Sequence, residues 1–584
     1  MEPDPTCIGR VRHVLGSTVT VRLDPDLAGV APIWRGQVQP LGQVGSLVVL
    51  PQGPVTVLAS VVLVGISELV GEQAPSAIVQ TGDRWLQIQL LGEVDALGSF
   101  QRGVSTYPAL DDPVHFSAPG ILQQVHPTAA ETHVKIGSLS ANPEVAVALD
   151  AQRLVTRHSV VVGSTGSGKT SAVATILQQF VRAGWTAANV VVIDPHGEYA
   201  TALGEMASVR SVTSAGEQGL RVPYWALPAE DILTALAGGT SATTLNRFSE
   251  LVAEQRRTYA EGCSWLQDSS AITADTPVPF DLHQVWYQLD YENNATVTAK
   301  TGGQDCVEDT GDPRGLRPAV FKPYAPGSAT PMQGPMYGRH GSAPTQIRSR
   351  MRDPRYSFFL QPDDTTVDHD PFTDVLDEWL GGSQPVSVLD FSGVPSDAAD
   401  LAIGVVLQLL FELSVRSSAS VGVGRHRPVL AVMEEAHRFL GEGTTVRVAR
   451  ESVNRIAREG RKYGIGVMLV SQRPSELPDT SLSQAGTIIA LRLTNAGDQA
   501  RVRSGLPDTL AGLADVLPSL RTGEALVTGE SVSLPSRVLI DMPFPVPTAT
   551  DPDLGGWRGE ALPNDLTTAL AQWRAIETND GEAP

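Results

Sequence analysis

The stretch Gly163-Ser164-Thr165-Gly166-Ser167-Gly168-Lys169-Thr170 constrains the fold of this chain more than any other, because its spacing, G-x-x-x-x-G-K-T, is that of a phosphate-binding loop. Its glycines let the backbone curl until successive N–H groups point inward at phosphate oxygens. In that reading Lys169 reaches the β- and γ-phosphates of a nucleotide and the Thr170 hydroxyl sits on Mg²⁺. The flanks meet the motif's requirements. Val160-Val161-Val162 reads as a buried strand, and residues 171–182 keep an apolar stripe at Val173, Ile176, Leu177 and Phe180, so a helix opens where the loop ends. The unpaired first amides of that helix add positive potential at the same spot. ATP and Mg²⁺ are the expected cofactors.

Around this loop the pattern is α/β. From Arg157 onward strands alternate with helices, the signature of a mainly parallel sheet with crossovers. Short apolar runs at 159–162, 189–193, 386–389, 429–433, 466–470 and 487–493 are the expected strands, each apolar enough to be covered on both faces. The gap between the second and third is far longer than a crossover, so a subdomain is inserted at 215–380. Core segments 151–214 and 381–545 flank it.

Several strand ends carry polar groups. The apolar run 429–433 stops at Glu434-Glu435, two carboxylates that a core tolerates only near a cation. In a nucleotide hydrolase Glu434 orders the Mg²⁺ shell, together with Thr170, and Glu435 polarises the attacking water. The run 466–470 leads into Ser471-Gln472-Arg473-Pro474, which puts Gln472 at a strand end where ligands of parallel sheets gather and where it senses the γ-phosphate or orients water. The preceding helix carries Arg447, Arg450, Arg455, Arg458, Arg461 and Lys462. Pairs at i,i+4, Arg447–Glu451, Glu451–Arg455 and Arg455–Glu459, suit a solvated face. Arg458 and Arg461, at the helix end, are the ones placed to reach across a subunit boundary. Asp194-Pro195-His196-Gly197-Glu198-Tyr199 closes the second strand, where Asp194 and Glu198 are candidates for supporting the loop.

The remaining chain is less specific. Residues 1–120 show short strands separated by Gly and Pro, the pattern of a small β-barrel, expected to be a scaffold or docking module more than a nucleic-acid binder because basic and aromatic residues do not interleave. Residues 121–150, with Asn142-Pro143, read as a linker. Within the insertion, 229–257 is helical in pattern, while 293–370 is rich in Gly, Pro, Ser, Thr and Asp and reads as long loops. There Arg339-His340, Arg348, Arg350, Arg352 and Arg355 form either a solvated basic loop or a contact for DNA or a partner. An acidic tail, 546–584, carries a short helical stretch near 566–576 and is expected to dock on a neighbouring subunit. The net charge of −21 argues against a surface that adheres to nucleic acid everywhere, though not against DNA held at one local channel. Cys7, Cys263 and Cys306 have no metal or disulfide spacing, and no run of 18 apolar residues or signal pattern appears, which places the chain in the cytoplasm without a membrane segment.

Taken together, GSTGSGKT, IDPHGEY, VLAVMEEAH, REGRKYGIGVMLVSQRPSEL, TIIALRLTNAGDQ and LPSLRTGEALVTGE resemble the HerA family within the HerA/FtsK group of DNA-translocating ATPases, over about 155–215 and 385–545. The N-terminal region, opening IGRV, is similar to the small barrel that precedes the RecA-like core in that family. The resemblance implies a homo-hexameric ring that hydrolyses ATP between subunits and moves double-stranded DNA through its channel, working with a partner nuclease or other effector encoded nearby. It implies Lys169 and Thr170 as the phosphate-loop pair, Glu435 as catalytic carboxylate, Gln472 as sensor, Arg461 as the arginine supplied in trans, and Arg157 as a second γ-phosphate arginine. Glu434 departs from the Asp of many relatives. The long insertion resembles HerA proteins of anti-phage operons more than the end-resection ones. An ATP-gated scaffold that regulates an effector with little translocation is the alternative function.

Overall fold

The computed structural model describes residues 6–25, 44–66, 84–117, 119–126 and 132–548, the last with breaks of one to five residues, together with 33–34 and 37–38. The expected tail helix near 566–576 lies outside the described residues, isolated positions apart.

The first unit is a closed barrel. Strands Thr18–Leu23, Cys7–Leu15, Pro113–Phe116, Leu47–Gln52, Val55–Ile66 and Arg84–Val94 pair antiparallel in that order, and the last pairs back on the first. Alternation drives this: Val19, Val21, Val57, Ala59, Val61, Leu86 and Ile88 all point inward and are fully buried. Closure leaves those six strands without a free edge.

Residues 121–150, expected as a linker, are part of the second unit instead. A helix, Pro119–Val125, is followed by an antiparallel hairpin of His133–Leu139 and Asn142–Asp150 whose first strand pairs with Ser536–Ile540. Val134, Ile136, Val145, Val147 and Leu149 bury against the main core, so Asn142-Pro143 marks the return of a hairpin and not a spacer.

The second unit is built on an 11-stranded sheet. Seven strands are parallel, in the order Thr487–Ala490, Ser159–Val162, Ile465–Ser471, Val429–Met433, Asn189–Asp194, Val386–Asp390 and Ala207–Ser211. Glu524–Gly529, Ser536–Ile540 and the 133–150 hairpin extend it antiparallel. All six sequence-expected strands are present. The strand Ala207–Ser211 was not expected, because ASVRS is a half-exposed edge with little apolar signal. Successive residues of the central strand face opposite layers: Val160 and Val162 pack with the helices Ser396–Arg416 and Arg447–Tyr463, while Val161 packs with Lys169–Arg182. Ser396–Arg416 is apolar and long enough to cross a bilayer, yet most of it is buried in this core.

Within the insertion, 293–370, expected as long loops, holds short strand pairs and the helix Ala343–Arg352 among its turns. Trp225, Trp286 and Trp379 are fully buried in the same cluster as Val160 and Ile193, so the insertion continues the core on one face of the sheet. Its basic stretch folds too: Arg348, Arg350 and Arg352 stand on the helix Ala343–Arg352, where Arg350 lies over the Tyr356 ring and Arg352 donates to Leu316 O at 2.9 Å. Arg355 pairs with Asp353 at 2.7 Å and His340 is buried 3.7 Å from Glu292. Much of that charge is therefore spent within the subdomain.

Candidate active site

The phosphate loop occupies the carboxyl edge of the parallel strands. Gly166 and Gly168 have φ of 72° and 98°, in the left-handed region, and a Cβ on Gly163 would come within 2.5 Å of Ser167 Oγ. The helix Lys169–Arg182 has no side-chain cap, so its first amides stay directed at the loop. Two neighbours fix the loop's path. Ser164 donates through N and Oγ to Arg492 O, at 2.8 and 2.9 Å, and Gly523 N donates to Ser167 O at 2.9 Å.

Three further elements bring side chains to this edge. The strand Ile465–Ser471 delivers Gln472, whose Oε1 accepts from Thr165 Oγ1 at 2.7 Å. The strand Val429–Met433 delivers Glu434 and Glu435. Glu435 adopts a left-handed backbone, φ 49°, which turns the chain abruptly into the helix Ala436–Leu440; its Oε2 is buried without a hydrogen-bond partner, 3.1 Å from His437 Nδ1. The strand Asn189–Asp194 ends in a turn that supplies Glu198, accepting from Thr170 Oγ1 at 2.8 Å, and Tyr199, donating to Glu434 Oε2 at 3.1 Å.

Electrostatically this is a crowded acidic pocket around one lysine. Lys169 is 8% exposed, and its Nζ donates to Ser164 O at 3.4 Å. Burial pushes its pKa down, while the charges of Glu434, Glu435 and Glu198 hold it up. Burial, then the charges of Glu435 and Glu198, push Glu434 up to about 8. Such a site gains from a ligand that brings both negative phosphate to the lysine and a cation to the carboxylates. Among the described residues no three acidic, histidine or cysteine side chains form a metal cage by themselves.

Of the residues singled out from the sequence, Gly163 to Thr170, Glu434, Glu435 and Gln472 come together here. Arg157, Arg458 and Arg461 do not. Arg157 precedes the strand that the loop follows, so it stands at the amino edge, with its guanidinium 2.6 Å from Glu530 Oε2. Arg458 and Arg461 are exposed at the end of the helix Arg447–Tyr463, which also finishes at the amino edge. Arg461 lines an open cleft there, beside Arg425, His426, Lys462 and Trp185. Arg157 is thus not the arginine in the neighbourhood of its own loop; Arg492 is, through its carbonyl. Among the helix pairs, Arg447–Glu451 forms at 3.4 Å, but Arg455 turns to Glu412 at 2.9 Å and covers the Phe411 ring. Sequence reasoning missed Tyr199 and His437, which stand one and two residues beyond acids that it did select.

Two family models match the chain, Helicase HerA, central domain, over residues 134–410 and Helicase HerA-like C-terminal over 373–543. Among similar proteins, the DNA double-strand break repair helicase HerA of Pyrococcus furiosus is 25% identical over 468 residues, covering 75% of this chain and 73% of that protein. The protein of the same name from Sulfolobus acidocaldarius is 27% identical over 427 residues, 72% of each. A solved structure of VirB4 of Thermoanaerobacter pseudethanolicus aligns with 14% identity and a TM-score of 0.46, covering 71% of this chain and 97% of that one.

Proposed function

The chain belongs to the HerA helicase family, and on that premise we propose that it is an ATP-hydrolysing DNA motor: a cytoplasmic hexameric ring with double-stranded DNA in its channel and a nuclease or other effector protein docked on it. The observation that carries the reading is the convergence, at one sheet edge, of a phosphate loop bonded to Gln472 with a strand end bearing Glu434 and Glu435. In this reading the amides of 163–168 and Lys169 hold the phosphates. Thr170 and Glu434 are the residues that would hold Mg²⁺, which would supply neutralisation of phosphate charge. The site's polar atoms fit these groups: Ser167 Oγ and Glu435 Oε2 are buried without a hydrogen-bond partner, and among the described residues Lys169 makes no direct bond to a carboxylate. Glu435 takes the proton of the attacking water, and Gln472 orients that water. Arg461, with Arg458 as second choice and Arg157 as support, neutralises the γ-phosphate of a neighbouring subunit.

Turnover with and without duplex DNA tests this, alongside a translocation assay. Duplex-stimulated hydrolysis that disappears in Glu435→Gln is the expected result. ATP turnover indifferent to DNA, combined with an effector whose activity responds to ATP binding alone, would replace the motor with the scaffold reading.

A further inference from the structure

The turn from Asp194 to Tyr199 touches both residues assigned above to the metal: Glu198 accepts the hydroxyl proton of Thr170, and Tyr199 donates its own to Glu434. A threonine hydroxyl has one proton and two lone pairs. Thr170 Oγ1 gives its proton to Glu198 Oε2 at 2.8 Å, so its lone pairs are directed away from Glu198. On the other side, Tyr199 OH donates to Glu434 Oε2 at 3.1 Å, which occupies one carboxylate oxygen and leaves Oε1 for another partner. Tyr199 is fully buried and cannot swing out to solvent.

The turn itself is anchored. The buried Asp194 carboxylate accepts from three backbone amides, His196 at 3.1 Å, Gly197 at 2.9 Å and Tyr199 at 3.0 Å. Gly197 takes φ 72°, which lets the chain fold back over Asp194, and a Cβ there would press on Ser392 Oγ at 3.2 Å. From outside, Thr548 N reaches Glu198 O at 3.4 Å. Glu198 and Tyr199 are thereby held at fixed positions relative to the strand end.

We propose that Glu198 and Tyr199 are positioning residues of the magnesium site: Glu198 fixes the rotation of the Thr170 hydroxyl so that its lone pairs face the metal, and Tyr199 fixes the Glu434 carboxylate. This rests on the ATPase reading of the loop. Outer groups that orient metal ligands change metal affinity by about 10–100-fold when removed.

The test is calorimetric binding of ADP to the full chain across a Mg²⁺ titration, with ADP binding in EDTA and a melting curve as controls. In Glu198→Ala the Mg²⁺ concentration for half-maximal enhancement rises about tenfold or more, while binding in EDTA and melting stay as in wild type. Glu198→Gln, which keeps an acceptor for Thr170, loses less than Glu198→Ala. Tyr199→Phe, which removes only the hydroxyl, shifts the same Mg²⁺ midpoint. Unchanged Mg²⁺ midpoints in Glu198→Ala and Tyr199→Phe overturn the proposal. A Gln variant as impaired as the Ala variant also overturns it, because bulk charge and not the accepted hydrogen bond would then be at work. Wild-type protein whose ADP binding ignores Mg²⁺ would instead overturn the ATPase reading beneath it.

Discussion

The two edges of the parallel sheet differ in what they leave unsatisfied. At the carboxyl edge the loop, Lys169, Glu434 and Glu435 present buried groups that want phosphate and a cation. At the amino edge Arg458 and Arg461 stand exposed, and the Arg157 guanidinium pairs at the surface with Glu530, both partners about a third or more exposed. A strand of this length separates the edges by on the order of 13 Å, which sets Arg157, Arg458 and Arg461 apart from the phosphate loop of their own chain. On the proposed trans-arginine reading, one chain carries both halves of a site facing apart. Two copies, set edge to edge, would close it.

The strongest way to break this comparison is to remove one half at a time. Lys169→Ala strips the cation from the phosphates and takes ATP turnover to background with an unchanged melting curve. Arg461→Ala, if the finger acts in trans, lowers turnover about 10³–10⁵-fold. Mixed rings of the two variants regain part of the activity that neither has alone, because one interface then combines an intact loop with an intact arginine. No recovery in mixed rings verified by native mass spectrometry would return Arg461 to a surface role; if Arg492→Ala were then the inactive variant, the γ-phosphate arginine acts in cis from beside the loop.

A smaller effect ranks the two acids of the carboxyl edge. Glu435→Gln keeps shape and loses the group that activates water, so turnover falls about 10²-fold or more with ATP binding retained. Glu434→Gln weakens the Mg²⁺ dependence of binding and slows turnover less. The reverse order of the two rates, measured under saturating ATP and Mg²⁺, would exchange their roles.

Much of the carboxyl edge was legible in the sequence because parallel strands are continuous apolar runs and their polar groups sit at the very ends. The loop, Glu434, Glu435 and Gln472 could all be placed by that rule. Arg157 was assigned by resemblance and not by that rule: it is six positions before Gly163 in sequence, yet a whole strand lies between. The hairpin 133–150 was hidden because antiparallel pairing depends on a partner, Ser536–Ile540, some 400 residues away in the chain. Residues 343–352 were read as loop since their helical stripe is thin: only Ile347 and Met351 are large apolar anchors, amid three arginines and a serine. Burial against Trp286, whose Nε1 donates to Pro344 O at 3.0 Å, supplies what local propensity lacks.

The smallest predicted effect separates the edges by pH. At the amino edge His158, buried and at φ 56°, accepts from Val467 N through Nδ1 at 3.3 Å, and burial lowers its pKa to about 4 from 6.5. The fold thus favours the neutral ring: its contribution is complete above pH 6.5 and is lost as pH falls toward 4. Glu434 has the opposite sign. Its pKa rises from 4.5 to about 8, so its contribution is complete below 4.5 and is lost as pH climbs through 8. In nucleotide-free protein, His158→Asn, a residue that tolerates left-handed backbone, costs stability at pH 7.5. That deficit narrows by about 2 kcal/mol at pH 5, where the wild-type ring resists protonation. Glu434→Gln gains on wild type in the other direction, as pH rises from 5 to 8. Denaturant unfolding at these pH values reads both differences. Parallel profiles for wild type and His158→Asn would mean that the amino edge lets water or a counter-charge reach the ring, and that its packing is looser than the Val467 hydrogen bond implies.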